Sequence, residues 1–480
     1  MLNKNNIIFG SNRKRTIPAM KKLIPLFLLF VFCKPANAQE VIYEINTPDF
    51  FDSDGDGYGD LNGVSQKLDY LLQFGVTSIM LSPIYQSYNG YTNSFEEVDK
   101  TQGTWGDYKS LLKAVHLRRM KLYQDVSLEY ISRKHEWFTK AVDNPQSKYA
   151  DYIYYNKEKQ TKEQLDSNVT DNQSKAVAVN LNNAEVLAYF IKILSKLADM
   201  DGDGTFKDGV DGFRILETAH DTTAPEIKNK SKETFWKPLI ANLKKVNPEG
   251  IVFVSQNKNT PASEWLITAN ADRIYANGIN KAIATLDKEK IITAADSAFT
   301  NTPENKKQVV FFKEQAANEN EIVSINNISE RKVAAALNIL LGGVPSIYYG
   351  QETGDSWQTP RNKQNEQMVS EGQVQNNNSL WNFYKQLVNL RRRQPAVGLG
   401  SFKNVDNSAK GVISFIRQRD NDKVLVVINL SDTEQPVTIT DNSLHLNKLQ
   451  LLMGSANYNF RRGGRTIIVP PYWVQVWKVL

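Results

Sequence analysis

The sequence predicts an α/β fold: a (β/α)8 barrel of the TIM type with an inserted subdomain after its third strand, followed by a C-terminal antiparallel β-sandwich. Three observations predict it. Eight short β-branched apolar runs alternate with helical stretches up to about residue 397, the pattern of a parallel sheet wrapped by helices. From about Gly398 the pattern changes to alternating strands with no helix. The composition, 41% hydrophobic and 23% charged over 480 residues with one Cys, is ordinary for a globular protein and excludes wholesale disorder, a collagen-like repeat and a disulfide scaffold.

The first element is a leader. From Met20, which reads as the start of translation, the chain runs Lys21-Lys22, an apolar stretch from Leu23 to Phe32, and Ala36-Asn37-Ala38 before Gln39. This is the three-part grammar of a secretory signal over residues 1–38, and its apolar run is too short to span a bilayer. Cys33, the single cysteine, could take a lipid, but Phe32 stands where a lipoprotein signal wants a small residue, so the A-x-A site reads better. The leader holds seven basic groups and no acidic one. Removing them from the 58 Lys and Arg leaves 51 against 52 Asp and Glu, so the formal charge of +6 belongs to the leader and no nucleic-acid partner is expected. The leader implies an exported protein, periplasmic or associated with the outer membrane or cell surface.

The barrel strands are read, in order, at Val41–Ile45, Val76–Ser82, Lys121–Ser127, Val210–Ile215, Ile251–Gln256, Arg273–Asn277, Ile322–Asn326 and Ser346–Gly350, within a domain of residues 39–397. Between the third strand and the helix starting near Asn183, a polar, Tyr-rich stretch predicts the inserted subdomain at about 131–182. The C-terminal strands of the domain 398–480 are read at Val412–Arg417, Lys423–Ile428, Pro436–Ile439, Arg465–Val469 and Trp473–Val479.

Two acidic loops punctuate this pattern. Asp52, Asp54, Asp56 and Asp60 alternate with Gly55, Gly57 and Gly59, so oxygen ligands, joined by the Tyr58 carbonyl, can converge on one hard cation while the glycines permit the turn. It is not an EF-hand, because the twelfth position is Gly63 instead of Glu. Asp199, Asp201, Asp203 and Thr205, with Asp208 beyond, repeat the grammar and read equally as a second cation loop or as an acidic turn.

Several segments carry a resemblance. Phe51 through Gly63, Lys67-Leu68-Asp69-Tyr70-Leu71, Leu81-Ser82-Pro83-Ile84, Gly209-Val210-Asp211-Gly212-Phe213-Arg214, Gly343 through Gly350, and Ser379 through Arg391 with Gln394-Pro395-Ala396 resemble, in order, motifs of the α-amylase family, glycoside hydrolase family 13, of the oligo-1,6-glucosidase and neopullulanase type. The resemblance implies the barrel, a structural Ca2+ in the first acidic loop, and a retaining mechanism in which two carboxyl groups face each other about 5–5.5 Å apart.

The residues carried over from the family pattern do not supply those groups. Leu216 stands where the fourth-strand nucleophile is implied, Gln256 where the fifth-strand acid/base is implied, and Ile328, in Asn326-Asn327-Ile328, where the stabilising Asp is implied. Leucine has no lone pair to attack with, and an amide can bond the glycosidic oxygen but cannot protonate it. Of the sugar-gripping groups, Thr92 replaces an Asp, Tyr130 and Asn327 each replace a His, and Arg214 remains. Glu129 with Asp125, at the end of the third strand, are the candidates for replacement chemistry; Glu217 alternates to the helix side. His116, His135 and His220 read as packing or surface residues, and no aromatic cluster stands out as a sugar platform.

The expectation is therefore a catalytically inactive, noncatalytic accessory subunit of an envelope or outer-membrane complex, whose partner is an envelope protein. The alternative is a protein of a polysaccharide-uptake system that binds α-glucan or another glycan; the second alternative is an active α-glycosidase with displaced catalytic groups.

Overall fold

A computed structural model describes residues 39–88, 90–154, 176–216, 231–255, 261–312, 325, 327–354, 379–439, 448–454 and 466–480. The chain divides into two units, Met1–Asn37 and Ala38–Leu480. The predicted leader, with Cys33, lies outside the described residues, as do Glu217, His220, Gln256 and Asn326. Among the described residues no helix is long and apolar enough to cross a membrane.

Eight parallel strands close a barrel. In chain order the strands of the first domain are β1 (Ile42–Ile45), β2 (Ser78–Leu81), β3 (Ser87–Tyr88), β4 (Tyr91–Thr92), β5 (Lys121–Val126), β6 (Tyr130–Ser132), β7 (Ala176–Ala178), β8 (Gly212–Leu216), β9 (Ile251–Ser255), β10 (Arg273–Tyr275), β11 (Lys307–Phe311) and β12 (Val344–Tyr348). The barrel order is β1-β12-β11-β10-β9-β8-β5-β2. Strand alternation sorts the side chains. Ile42, Met80, Tyr123, Phe253, Tyr275, Val309, Phe311 and Val344 fill the lumen as one apolar cluster, while their neighbours Tyr43, Ile79, Leu122, Val252, Ile274 and Val310 join the larger core beneath the helices.

The seventh barrel strand corrects the sequence reading. It is β11, Lys307–Phe311, not Ile322–Asn326. Its first residue is exposed and the other four are buried, and Lys306, Lys307 and Gln308 interrupt the apolar run that marks the other strands. Asn327 instead caps the helix Ile328–Leu340: its side chain accepts from the Glu330 amide at 2.9 Å, and Glu330 reaches back to the Asn327 amide, a capping box.

In the region of the predicted insertion, β6 and β7 pair with each other and join β3 and β4 in a four-stranded sheet, so two of its strands come from the segment after β2. Residues 155–175 of that insertion lie outside the described residues. The C-terminal region is built of β13 (Ser401–Asn404), β14 (Val412–Arg419), β15 (Asp422–Asn429), β16 (Gln435–Thr438), β17 (Leu449–Met453), β18 (Thr466–Val469) and β19 (Val474–Val479). A five-stranded sheet, β13-β14-β15-β19-β17, faces the β16-β18 pair across a core that includes Val412, Leu425, Val427, Ile467, Val469 and Trp477. The edge strands β13 and β17 were missed in sequence because they are only half-buried.

This sheet is fastened to the barrel by two buried arginines. Arg417 of β14 donates to the carbonyls of Leu341, Val397 and Gly400. Arg391, on the helix Leu380–Arg393, donates to those of Ile339, Gly343 and Gly398. Gly343 meets this junction with φ at +57°, and a Cβ there would lie 2.4 Å from the Gln308 carbonyl oxygen, so only glycine fits.

Candidate functional site

The C-terminal ends of barrel strands are where side chains from different strands converge on one space. At the level of β8, the inward residues Arg214 and Leu216 are separated by the outward Ile215, and the register pairs Arg214 with Asp125 and Phe253, and Leu216 with Ser255. Leu216 therefore belongs to the layer above Arg214, at the mouth, where it is half-buried. It offers a sugar only an apolar contact.

Arg214 lies below in a closed ionic cluster. Its Nε and Nη2 donate to the two oxygens of Asp125, each at 2.7 Å, and its Nη1 donates to Glu44 Oε2 at 2.7 Å. Glu44 Oε1 in turn accepts from Tyr275 Oη at 2.8 Å and Ser346 Oγ at 2.5 Å. The guanidinium also stacks 5.0 Å from the Tyr275 ring centre. All three charged side chains are at most 1% exposed. Burial pushes the Asp125 carboxyl up to about 6, and the two-pronged bond to Arg214 opposes it. Burial also works against the Arg214 charge, but Asp125 and Glu44 hold it protonated.

Arg214, read from the sequence as a retained sugar contact, is buried below the mouth, with three of its five N–H donors bound to Asp125 and Glu44. Glu44 was missed, and the only signal was an acidic residue inside an otherwise apolar strand. Asp125 is likewise enclosed, so the pairing of Glu129 with Asp125 for replacement chemistry is not realised: Glu129 is half-buried beyond the strand end, where its carbonyl accepts from Val179.

Two of the other predicted sugar positions lie on adjacent strands of the small sheet, and the third caps a helix. Thr92 is buried in β4 and pairs with Ile131. Tyr130 packs with Ala176 and Ala178 within the small sheet. Asn327 is a helix cap, and Ile328 is the first residue of that helix and 54% exposed. Ile328 thus begins a helix and does not lie in the seventh strand. The chain leaving β11 reads Phe312-Lys313-Glu314-Gln315, of which only Phe312 is described. Of the three positions read as lost carboxylates, Leu216 alone is found at a strand end among the described residues.

The two described histidines are held by structural bonds. His116 Nε2 bonds Asp211 Oδ2 at 2.9 Å and its Nδ1 meets the Lys207 carbonyl at 3.0 Å, at the barrel end opposite the mouth; its pKa is raised, chiefly by the Asp211 bond. His135 caps the helix Glu136–Asp143 by accepting from the Trp137 amide, and burial lowers its pKa to about 4.

In the first acidic loop, Asp52, Asp54 and Asp60 each bring a carboxylate oxygen within 4.8 Å of the others; Asp56 is not in this set and instead accepts from the Tyr58 amide at 2.8 Å. Asp52 accepts from the Gly55 and Gly57 amides, with φ of +85° and +91° at those glycines, and Asp60 accepts from Ser53 and Gly63. Carboxylates so oriented keep free lone pairs for a hard cation, so this donor set fits Ca2+. The second loop groups Asp199, Asp201 and Asp203, while Asp208 accepts from the Met200 amide and Thr205 donates its amide to Asp203.

Residues 44–368 match the family described as alpha amylase, catalytic domain, and residues 412–473 match the alpha-amylase SusG C-terminal domain. The chain is similar to Alpha-amylase 3 of Dictyoglomus thermophilum, 23% identical over 96% of this chain and 98% of that protein. It is also similar to an oligo-1,6-glucosidase of Bacillus cereus, 40% identical over 129 residues that cover 26% of this chain and 23% of that protein. The fold matches the crystal structure of an alpha-amylase from H. orenii with a TM-score of 0.77, at 23% identity, over 92% of this chain and 99% of that one. These relatives, named as amylases and glucosidases, overturn the expectation of a catalytically inactive accessory subunit.

Proposed function

The chain belongs to the α-amylase family, and from that premise we propose that it acts on α-linked glucans as a glycoside hydrolase at the C-terminal mouth of its barrel. The observation that carries this reading is the likeness to an α-amylase over nearly the whole length of both chains, joined to a closed barrel whose β5, β8 and β9 end at one mouth.

The ionic cluster beneath the mouth has a positioning role. With Arg214 fixed by Asp125, Glu44 and Tyr275, the floor of the mouth is rigid, and binding a sugar requires no reorganisation of charge there. Leu216 supplies no lone pair, so the carboxyl groups of a hydrolytic step come from other positions at the mouth. The same leucine favours a second reading, in which α-glucan binding at this mouth is the main role.

Reducing-end release from maltoheptaose, amylose and pullulan by the purified protein tests the first reading. Release that disappears in Leu216→Trp, whose indole fills the mouth, supports it; no release above buffer at millimolar oligosaccharide overturns it. For the second reading, calorimetric heat with maltoheptaose in the absence of release is the supporting result, and no heat is the contrary one.

We also propose that Asp52, Asp54 and Asp60 hold a structural Ca2+, and that the protein works outside the cytoplasm. The match of residues 412–473 to a SusG C-terminal domain and the leader grammar of residues 1–38 support that location.

A further inference from the structure

Outside the barrel wall, a cleft with a volume of about 200 Å3 lies between the helices Ile328–Leu340 and Leu380–Arg393 and the ends of β17 and β19. It is lined by Trp473, Tyr472, Phe383, Lys332, Gln386 and Ser379. None of these residues belongs to a barrel strand or to the mouth described above. We infer that this cleft is a second α-glucan-binding site, taking one or two glucosyl units of a longer chain.

The exposure of Trp473 is the first observation. Trp137, Trp236, Trp265, Trp381 and Trp477 are all buried and Trp105 is half-buried, whereas Trp473 is 40% exposed, alone among the described tryptophans in being so open. An indole left in water forgoes the burial that stabilises the others. Its backbone is nonetheless pinned, with the Trp473 carbonyl accepting from Asn429 at 2.9 Å.

The second observation is the backbone that presents it. Tyr472 has φ of +46°, a left-handed conformation that non-glycine residues rarely adopt and that tertiary contacts must hold. Those contacts are present: the Tyr472 amide donates to Ser431 at 3.0 Å, and its hydroxyl donates to Glu330 at 3.4 Å. The turn thus places two neighbouring aromatic residues at the same cleft.

The third observation is the mixture of surfaces. Phe383 lies under the Lys332 ammonium, 5.7 Å from the ring centre, and Gln386 and Ser379 add an amide and a hydroxyl. A pyranose has an apolar C–H face that stacks on aromatic rings and an equatorial belt of hydroxyls that needs amide, hydroxyl and ammonium partners. A cleft of this volume is smaller than the roughly 300–1,000 Å3 that encloses a drug-sized ligand, which suits a short stretch of a polymer lying across it. Nothing in the described lining selects an anion, since Lys332 is its one cation and Glu330 stands beside it.

The identity of the glycan rests on the proposed function, and the test separates the two. Affinity electrophoresis through amylopectin is run beside release from maltotriose, for the parent protein and for Trp473→Ala and Phe383→Ala, each checked for an unchanged melting temperature. The expected result is about tenfold weaker retention of both variants with maltotriose release within twofold of the parent. Parent-like retention of both variants overturns the inference. A parent that cleaves maltotriose but is not retained by amylopectin also overturns it and leaves the proposed function standing. A parent that is not retained and releases nothing from maltoheptaose, amylose or pullulan overturns both.

Discussion

Arg214 in the barrel lumen and Arg417 at the junction with the C-terminal sheet are both buried, yet they are held in opposite ways. Arg214 is neutralised by two carboxylates and stacked on Tyr275, and its charge is favoured by both. Arg417 has carbonyl partners in Leu341, Val397 and Gly400, and burial, with Arg391 nearby, pulls its pKa down to about 9. The Arg214 site is therefore a buried ionic cluster within a largely apolar lumen, whereas the junction is a clasp of backbone acceptors. The ionic cluster gives the mouth a rigid floor, and the clasp ties β14 to the barrel.

The largest expected effect breaks the lumen. Arg214→Met leaves Asp125 and Glu44 buried without their counter-ion and should cost about 3–5 kcal/mol in urea unfolding. A loss below about 1 kcal/mol would mean that the cluster is not closed.

Next is acid. His135 has a folded pKa of about 4, below the usual 6.5, because it is buried. The unfolded chain binds its proton first, so this contribution is fully present above pH 6.5 and is lost as the pH falls towards 4, at most about 3 kcal/mol. Asp125, raised to about 6 by burial, slopes the other way between its unfolded value and 6. Comparing the parent with His135→Asn, which keeps an acceptor for the Trp137 amide, isolates the histidine: the variant should lose less stability between pH 6.5 and 4.

Chelation comes third. If Asp52, Asp54 and Asp60 hold Ca2+, free ion at a hundredfold excess over its dissociation constant adds about 2.7 kcal/mol, so EDTA should lower the melting temperature and Ca2+, not Mg2+, should restore it. The smallest effect sharpens the contrast with the lumen. Arg417→Met strands neutral carbonyls instead of carboxylates, so it should cost only about 1–3 kcal/mol in the same urea experiment. It should also weaken amylopectin retention along with the cleft.

Most of the fold was legible because burial leaves a periodic trace. The runs at β1, β2, β5, β8, β9 and β12 are buried nearly throughout and read directly as strands. β11 escaped because Lys306, Lys307 and Gln308 lie within or beside it, and that slip carried Asn327 and Ile328 to the wrong place. Local chemistry was legible too: the Asp52 to Asp60 loop is a contiguous pattern, although Asp56 turned out to serve the Tyr58 amide. Contacts between distant segments were not. Glu44 is 170 residues from Arg214, and nothing local in either strand announces the pair. The cleft draws Lys332, Phe383 and Trp473 from three separate segments, so the aromatic count alone could not reveal it.

A crystal structure of the protein soaked with maltoheptaose is the most direct test of an α-glucan site at the barrel mouth. Glucosyl units are expected above Leu216 and Ser255, with a second set stacked on Trp473. Sugar absent from the mouth at saturating oligosaccharide would contradict that assignment.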